Sequence, residues 1–325
     1  MVKSPIFQPM NRKPFLLIFF IGLATLLHAQ QGLYHRWLGP QDAKVTIAFI
    51  HGGPGYNCAS FEADMAPRLA KIGYQVLVYD QRGSGRSEAM KGEFTYAEAV
   101  EDLLTLLNER DIPEAVLFGH SFGGSVAVEF AKAHPDRTRG ILFISAPLNF
   151  PACFHAIREN CKVEMEERGD ETGLKSIQAL SEMDSTRLEY ASTHFAYAMS
   201  NGLYSPNEYF KSAEKVQKTL KKPEWAKWVK HSSFAPVQGF WKNEHYTTGN
   251  RMDMLREMPD SIPVAGIFGE EDGLFDEASL QELEDAVGGN NFYLLMMASH
   301  AVFADDPYGF LDAMGEFMSR EIGME

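Results

Sequence analysis

Cysteine is scarce in this chain of 325 residues, with Cys58, Cys153 and Cys161 making up the whole complement. None stands at metal-ligand spacing from a histidine, so no zinc site is expected and no cofactor is called for. Three thiols also exclude a disulfide-built scaffold. At most one bridge is open to an exported chain, and Cys153–Cys161 is the expected pair. On one continuous helix those two would stand about 12 Å apart, too far to bridge. Cys58 reads equally well as a small buried residue. Positive charge is short as well: Lys and Arg number 30 against 44 Asp and Glu, for a net charge of −14. Such a surface repels phosphate backbones and anionic headgroups, which excludes nucleic acid as a partner. Repeats and low-complexity linkers are absent.

A long apolar run is missing too. Phe15 to Leu27 is apolar over 13 residues, short of the about 20 that span a membrane. Lys3, Arg12 and Lys13 precede it and His28-Ala29-Gln30 follows. A basic start, a short apolar stretch and a small residue at a cut site describe a secretory signal peptide over residues 1–29. The alternatives are an uncleaved anchor and, with nothing to cap it, a buried helix. No cysteine follows the run to take a lipid. Cleavage after Ala29 would remove three basic residues and no acid, taking the net charge from −14 to −17. The expected product is a periplasmic or secreted protein with no stable membrane span.

What is present is an alternation of short apolar strands and amphipathic helices. Strands are expected over 33–38, 44–50, 74–79, 115–118 and 139–145, with helices between them. One helix runs from a cap at Ser60 toward Gly73, and another follows the capping box Thr95-x-x-Glu98. This order predicts an α/β fold, mostly a parallel sheet with helices on both faces. Residues 147–256 change character: aromatic and charged, helical in spacing, without a clear strand. They read as a helical cap inserted into a core formed by residues 30–146 and 257–325. Strands resume at 262–268 and 291–296, and Pro307 opens a last amphipathic helix.

The chemistry gathers at the ends of these strands. Gly119-His120-Ser121-Phe122-Gly123 fits G-x-S-x-G between a strand and a helix, the setting of a nucleophile elbow. Ser121 is the candidate nucleophile. The amide of Phe122, opening the helix, is a candidate oxyanion donor. His51-Gly-Gly-Pro-Gly55 follows a core strand, where the second donor is expected, and the amide of Gly53 is assigned to it. A serine needs a base and the base an orienting acid. His300 and Asp272 follow the last two strands and supply them; Glu270, Glu271 and Asp276 compete with Asp272. Asp80, Arg82 and Arg86 read as a structural salt-bridge turn, and His51 and His120 as structural.

His51-Gly-Gly-Pro-Gly55 with Asp80-Gln-Arg-Gly-Ser-Gly-Arg-Ser87 resembles the prolyl aminopeptidase (proline iminopeptidase) branch of the α/β-hydrolases, including the tricorn-associated aminopeptidases. The resemblance covers nearly the whole chain after the leader. It implies an α/β-hydrolase fold and metal-free serine hydrolysis that releases an N-terminal residue, often proline, from short peptides. It also implies cap glutamates that bind the free amine. Asn243-Glu244-His-Tyr-Thr-Thr-Gly249 is similar to one such segment, which makes Glu244 the first candidate, and Glu208 is the second. Departures stand at His120 and Phe122, where many of these enzymes carry Gly-Gly-Ser-Trp-Gly. Gly-His-Ser-Phe-Gly-Gly is common in esterases of the fold. Two readings therefore stand beside the aminopeptidase: an esterase or amide hydrolase with no use for a free amine, and an inactive binding protein on a hydrolase scaffold. Ser121 disfavours epoxide hydrolase and dehalogenase chemistry, which uses an aspartate at the elbow. Trp225, Trp228 and Trp241 are candidates to line an apolar pocket or to form the core of the cap.

Overall fold

A computed structural model describes residues 32–323; the leader expected over residues 1–29 lies outside the described residues. Seven strands form one sheet: β1 (His35–Leu38), β2 (Thr46–Ile50), β3 (Gln75–Tyr79), β4 (Ala115–His120), β5 (Thr138–Ile144), β6 (Val264–Gly269) and β7 (Phe292–Leu295). Their order is β1-β3-β2-β4-β5-β6-β7. Only β1 runs antiparallel to its neighbour. The central strands are mostly apolar and almost wholly buried because both faces are covered. Successive side chains therefore enter different cores. Phe49, Val78, Phe118 and Leu142 point to one face, with Phe61, Phe303 and Phe310. Ile50, Tyr79, Leu117 and Phe143 point to the other, with Leu103, Val126 and Phe130. Each such phenylalanine contributes about 1.5–3 kcal/mol by leaving water.

Helices α1 (Ala59–Ala63), α2 (Met65–Lys71), α3 (Tyr96–Asn108) and α4 (Phe122–Ala133) connect the early strands. The single helix expected from Ser60 is two helices, broken at Asp64 where φ is −136°. Its start is held by Asn57, whose Oδ1 accepts the Ala59 N–H at 3.0 Å. Thr95 caps α3 by accepting the Glu98 N–H at 3.2 Å, but the return bond from Glu98 goes to the Phe94 N–H.

Between β5 and β6 the described residues form α5 (Phe150–Glu167), α6 (Glu171–Leu180), α7 (Leu188–Ser200), α8 (Lys211–Leu220), α9 (Pro223–Val229), α10 (Phe234–Glu244) and α11 (Met252–Arg256). The two ends of this insertion are pinned together: the Phe150 N–H donates to Gly249 O at 3.0 Å and the Arg251 N–H to Leu148 O at 2.7 Å. Cys153 and Cys161 are both free and both lie on α5, so the expected disulfide is absent, as helical spacing requires. α12 (Glu277–Val287), α13 (Val302–Asp305) and α14 (Pro307–Glu321) complete the chain. Among the described residues no helix is long and apolar enough to cross a membrane.

Candidate active site

β4 ends on His120, and α4 begins on Phe122. Ser121 between them sits at φ 52°, ψ −126°, a conformation that costs a non-glycine residue energy. The turn closes this tightly only because its neighbours lack side chains. A Cβ on Gly123 would lie 2.1 Å from Ile50 O, and one on Gly119 2.7 Å from Gly124 Cα. The Ser121 N–H donates to Ile144 O at 2.9 Å, which ties the turn to β5.

His300 follows β7, and Asp272 follows β6. His300 Nδ1 lies 2.9 Å from Asp272 Oδ2, and both residues are buried. A carboxylate only accepts, so Nδ1 carries a proton, and in the neutral ring Nε2 is then the acceptor. Asp272 Oδ1 accepts the Leu274 N–H at 3.2 Å. The competing acids are occupied elsewhere or point outward. Glu271 accepts the Asn207 N–H at 2.6 Å, Asp276 caps α12 by accepting the Ser279 N–H at 2.8 Å, and Glu270 is exposed.

Two further histidines frame the site. His120 Nε2 donates to the carbonyl of His300 at 3.0 Å, and the two rings stand 5.1 Å apart. This places His300 beside the elbow. Burial pushes the His120 imidazole down to about 3, so it stays neutral. His51 Nδ1 donates to Gly52 O at 2.7 Å, and its Nε2 accepts the Gln81 N–H at 2.9 Å. Burial lowers its basicity too. His51 thus fixes the glycine loop against the end of β3. Gly52 is the loop residue that meets Ser121: a Cβ there would sit 2.6 Å from Ser121 Cβ. Gly53, one residue on, has φ 131°.

Asp305 escaped the sequence reading. It is buried, and its Oδ2 accepts the Ser299 N–H at 3.1 Å, bracing the turn that carries His300. Burial, with Asp272 nearby, pushes its carboxyl from 3.8 up to about 7. Folding therefore favours the protonated form. The stability this supplies is full below about pH 4 and is lost as pH rises through about 7. Asp305→Asn keeps an acceptor and removes the charge. Its gain in Tm over wild type should grow from pH 5 to pH 8; an equal difference at both would contradict the account.

The remaining candidates are engaged elsewhere or exposed. Glu244 is half-buried, and its Oε1 accepts the Tyr96 N–H at 2.9 Å, so it caps the first turn of α3. Glu208 is exposed. Trp241 spends its indole N–H on Thr186 O at 2.9 Å, and Trp228 packs near Arg86 and Lys227. The aromatics around the elbow are others: Tyr204, 5.0 Å from the His300 ring, and Phe240 and Tyr246, 4.8 and 5.6 Å from Phe122. Asp80 and Arg86 join Glu62 in a buried ion-pair network, and Arg82 pairs with Asp102.

Residues 45–307 match the family described as the alpha/beta hydrolase fold. The chain belongs to the α/β-hydrolase family. This hydrolase is 24% identical over 305 residues to a proline iminopeptidase of Clostridioides difficile, covering 88% of this chain and 94% of the relative. A shorter match, 41% over 110 residues, covers 33% of this chain and 30% of epoxide hydrolase B of Mycobacterium tuberculosis. In the first curated relatives matched, the hydrolase spans less than a third of their length. Among solved structures, a proline iminopeptidase-related protein from Thermus thermophilus superposes with a TM-score of 0.64 at 23% identity, over 90% of this chain and 94% of that one. That likeness carries the fold.

Proposed function

We propose that this hydrolase is a serine aminopeptidase that releases the N-terminal residue of short peptides through an acyl-enzyme on Ser121. The observation that carries the serine chemistry is the buried His300–Asp272 pair beside the strained elbow. His300 Nε2 takes the Ser121 proton as Oγ attacks the carbonyl carbon. Asp272 holds the ring in the required tautomer and stabilises the imidazolium. The amides of Phe122 and Gly53 receive the oxyanion. The imidazolium returns the proton to the leaving amine, and a water activated by the same histidine releases the N-terminal residue.

Likeness over nearly the full length to a proline iminopeptidase supports the substrate class. In this reading Glu244 meets the substrate ammonium with the carboxylate oxygen not spent on Tyr96. The esterase or neutral-amide reading draws on the same bond, because a carboxylate engaged in capping α3 has less to offer an ammonium. A charged hydrogen bond of this kind contributes about 1.5–3 kcal/mol, or roughly ten- to a hundredfold in kcat/KM. Glu244→Gln should lose that factor on aminoacyl aminomethylcoumarins and little on a nitrophenyl ester. N-acetylating the substrate should cost the wild type at least as much. If wild type handles acetylated and free amines alike, the aminopeptidase reading gives way to the esterase. If only Glu244→Gln leaves the preference intact, Glu244 is a helix cap alone. Export to the periplasm or medium belongs to the same proposal. Intact mass of native material would begin at Gln30 if the leader is cleaved, and at Met1 if it is not.

A further inference from the structure

The loop that carries Gly52 and Gly53 continues into Tyr56 and Asn57, and there it meets the helical insertion. α9 ends at Val229, and the chain turns through Lys230 to Ser233 into α10. The last carbonyls of a helix lack partners within it. Here the glycine loop supplies partners to two of them. Asn57 Nδ2 donates to Trp228 O at 2.8 Å and to His231 O at 3.2 Å. The Tyr56 hydroxyl donates to Val229 O at 2.9 Å. In the other direction the Ser233 N–H donates to Gly55 O at 2.8 Å. A Cβ on Gly55 would lie 2.1 Å from Ser233 O, so the two backbones touch. Asn57 is buried, and its Oδ1 accepts the Ala59 N–H at 3.0 Å.

We propose that Asn57 is a positioning residue: it splices the elbow between α9 and α10 to the glycine loop, so that the insertion holds the loop in the shape that receives the oxyanion. This rests on the assignment of the Gly53 amide to the oxyanion. One side chain makes both attachments. Its oxygen starts α1, and its nitrogen grips the elbow on the far side of the loop. A buried amide with all three bonds made has little freedom, and the loop between it and His51 is held at both ends. His51 anchors the first end to Gln81, and Asn57 anchors the second to the insertion. Losing the second anchor leaves substrate contacts in place but lets the oxyanion amide wander, which is a loss in kcat and not in KM.

Two substitutions separate this role from simple capping of α1. Asn57→Asp keeps an acceptor for the Ala59 N–H, loses both donors and turns a carboxylate toward two carbonyls. Asn57→Ala loses everything. Both should lower kcat about tenfold or more with KM nearly unchanged, and should slow fluorophosphonate labelling of Ser121 in step. Wild-type kcat in a folded Asn57→Asp protein would overturn the proposal, whatever Asn57→Ala does. Where circular dichroism shows that Asn57→Asp does not fold, Tyr56→Phe decides instead, since it cuts one tether and leaves Asn57. A several-fold lower kcat supports the splice, and an unchanged kcat contradicts it. Wild-type protein that neither hydrolyses substrate nor takes the label would sink the serine reading itself, a different outcome from either.

Discussion

Ser121→Ala should fold as wild type does and lose four or more orders of magnitude in kcat. The fold is expected to survive because the substitution removes one oxygen from a half-buried position. The backbone strain at φ 52° is the same for alanine as for serine. The glycines that permit the turn are untouched. The loss should be large because the proposed nucleophile, base and acid act as a unit. Removing one leaves only what binding and the oxyanion amides supply. Kinetics on an aminoacyl coumarin, with a melting curve as control, check both halves. Residual activity above about a hundredth of wild type would mean that another group makes the bond.

Asp272→Asn should cost about three to four orders of magnitude in kcat while Glu271→Gln and Asp276→Asn stay near wild type. The reason is directional. Asp272 Oδ2 is the group at His300 Nδ1, 2.9 Å away, whereas Glu271 holds Asn207 and Asp276 caps α12. An amide in place of the carboxylate offers a donor as readily as an acceptor. It lets the imidazole move its proton to Nε2, and a protonated Nε2 cannot take the serine proton. The substitution is isosteric, so KM and stability should change little. Equal losses at Asp272 and Glu271 would show that the loop, and not the pair, is what matters.

Much of this was legible in the sequence because it is local. The elbow announces itself within five residues, and β2 to β5 are short enough, apolar enough and regularly enough spaced to be read in order. Chain order alone suggested Ser121, Asp272 and His300. What the sequence could not show is which distant group each side chain meets. Glu244 lies 148 residues from the Tyr96 amide it caps, and His120 lies 180 from the His300 carbonyl it holds. No periodicity encodes such pairs. The break at Asp64 was hidden for another reason: apolar spacing continues through it, and only the backbone angles there reveal two helices. Asp305 went unnoticed because a lone acid near the start of a helix resembles any other first-turn carboxylate. Its burial is a tertiary fact.

The most direct test of an acyl-enzyme on Ser121 is the mass of the protein itself. Wild type treated with a fluorophosphonate, or quenched in acid during turnover of a slowly deacylated ester, should gain one adduct that peptide mapping places on Ser121. Ser121→Ala should gain none. An adduct on another serine, or turnover with no trapped species and an undiminished Ser121→Ala protein, would contradict the account.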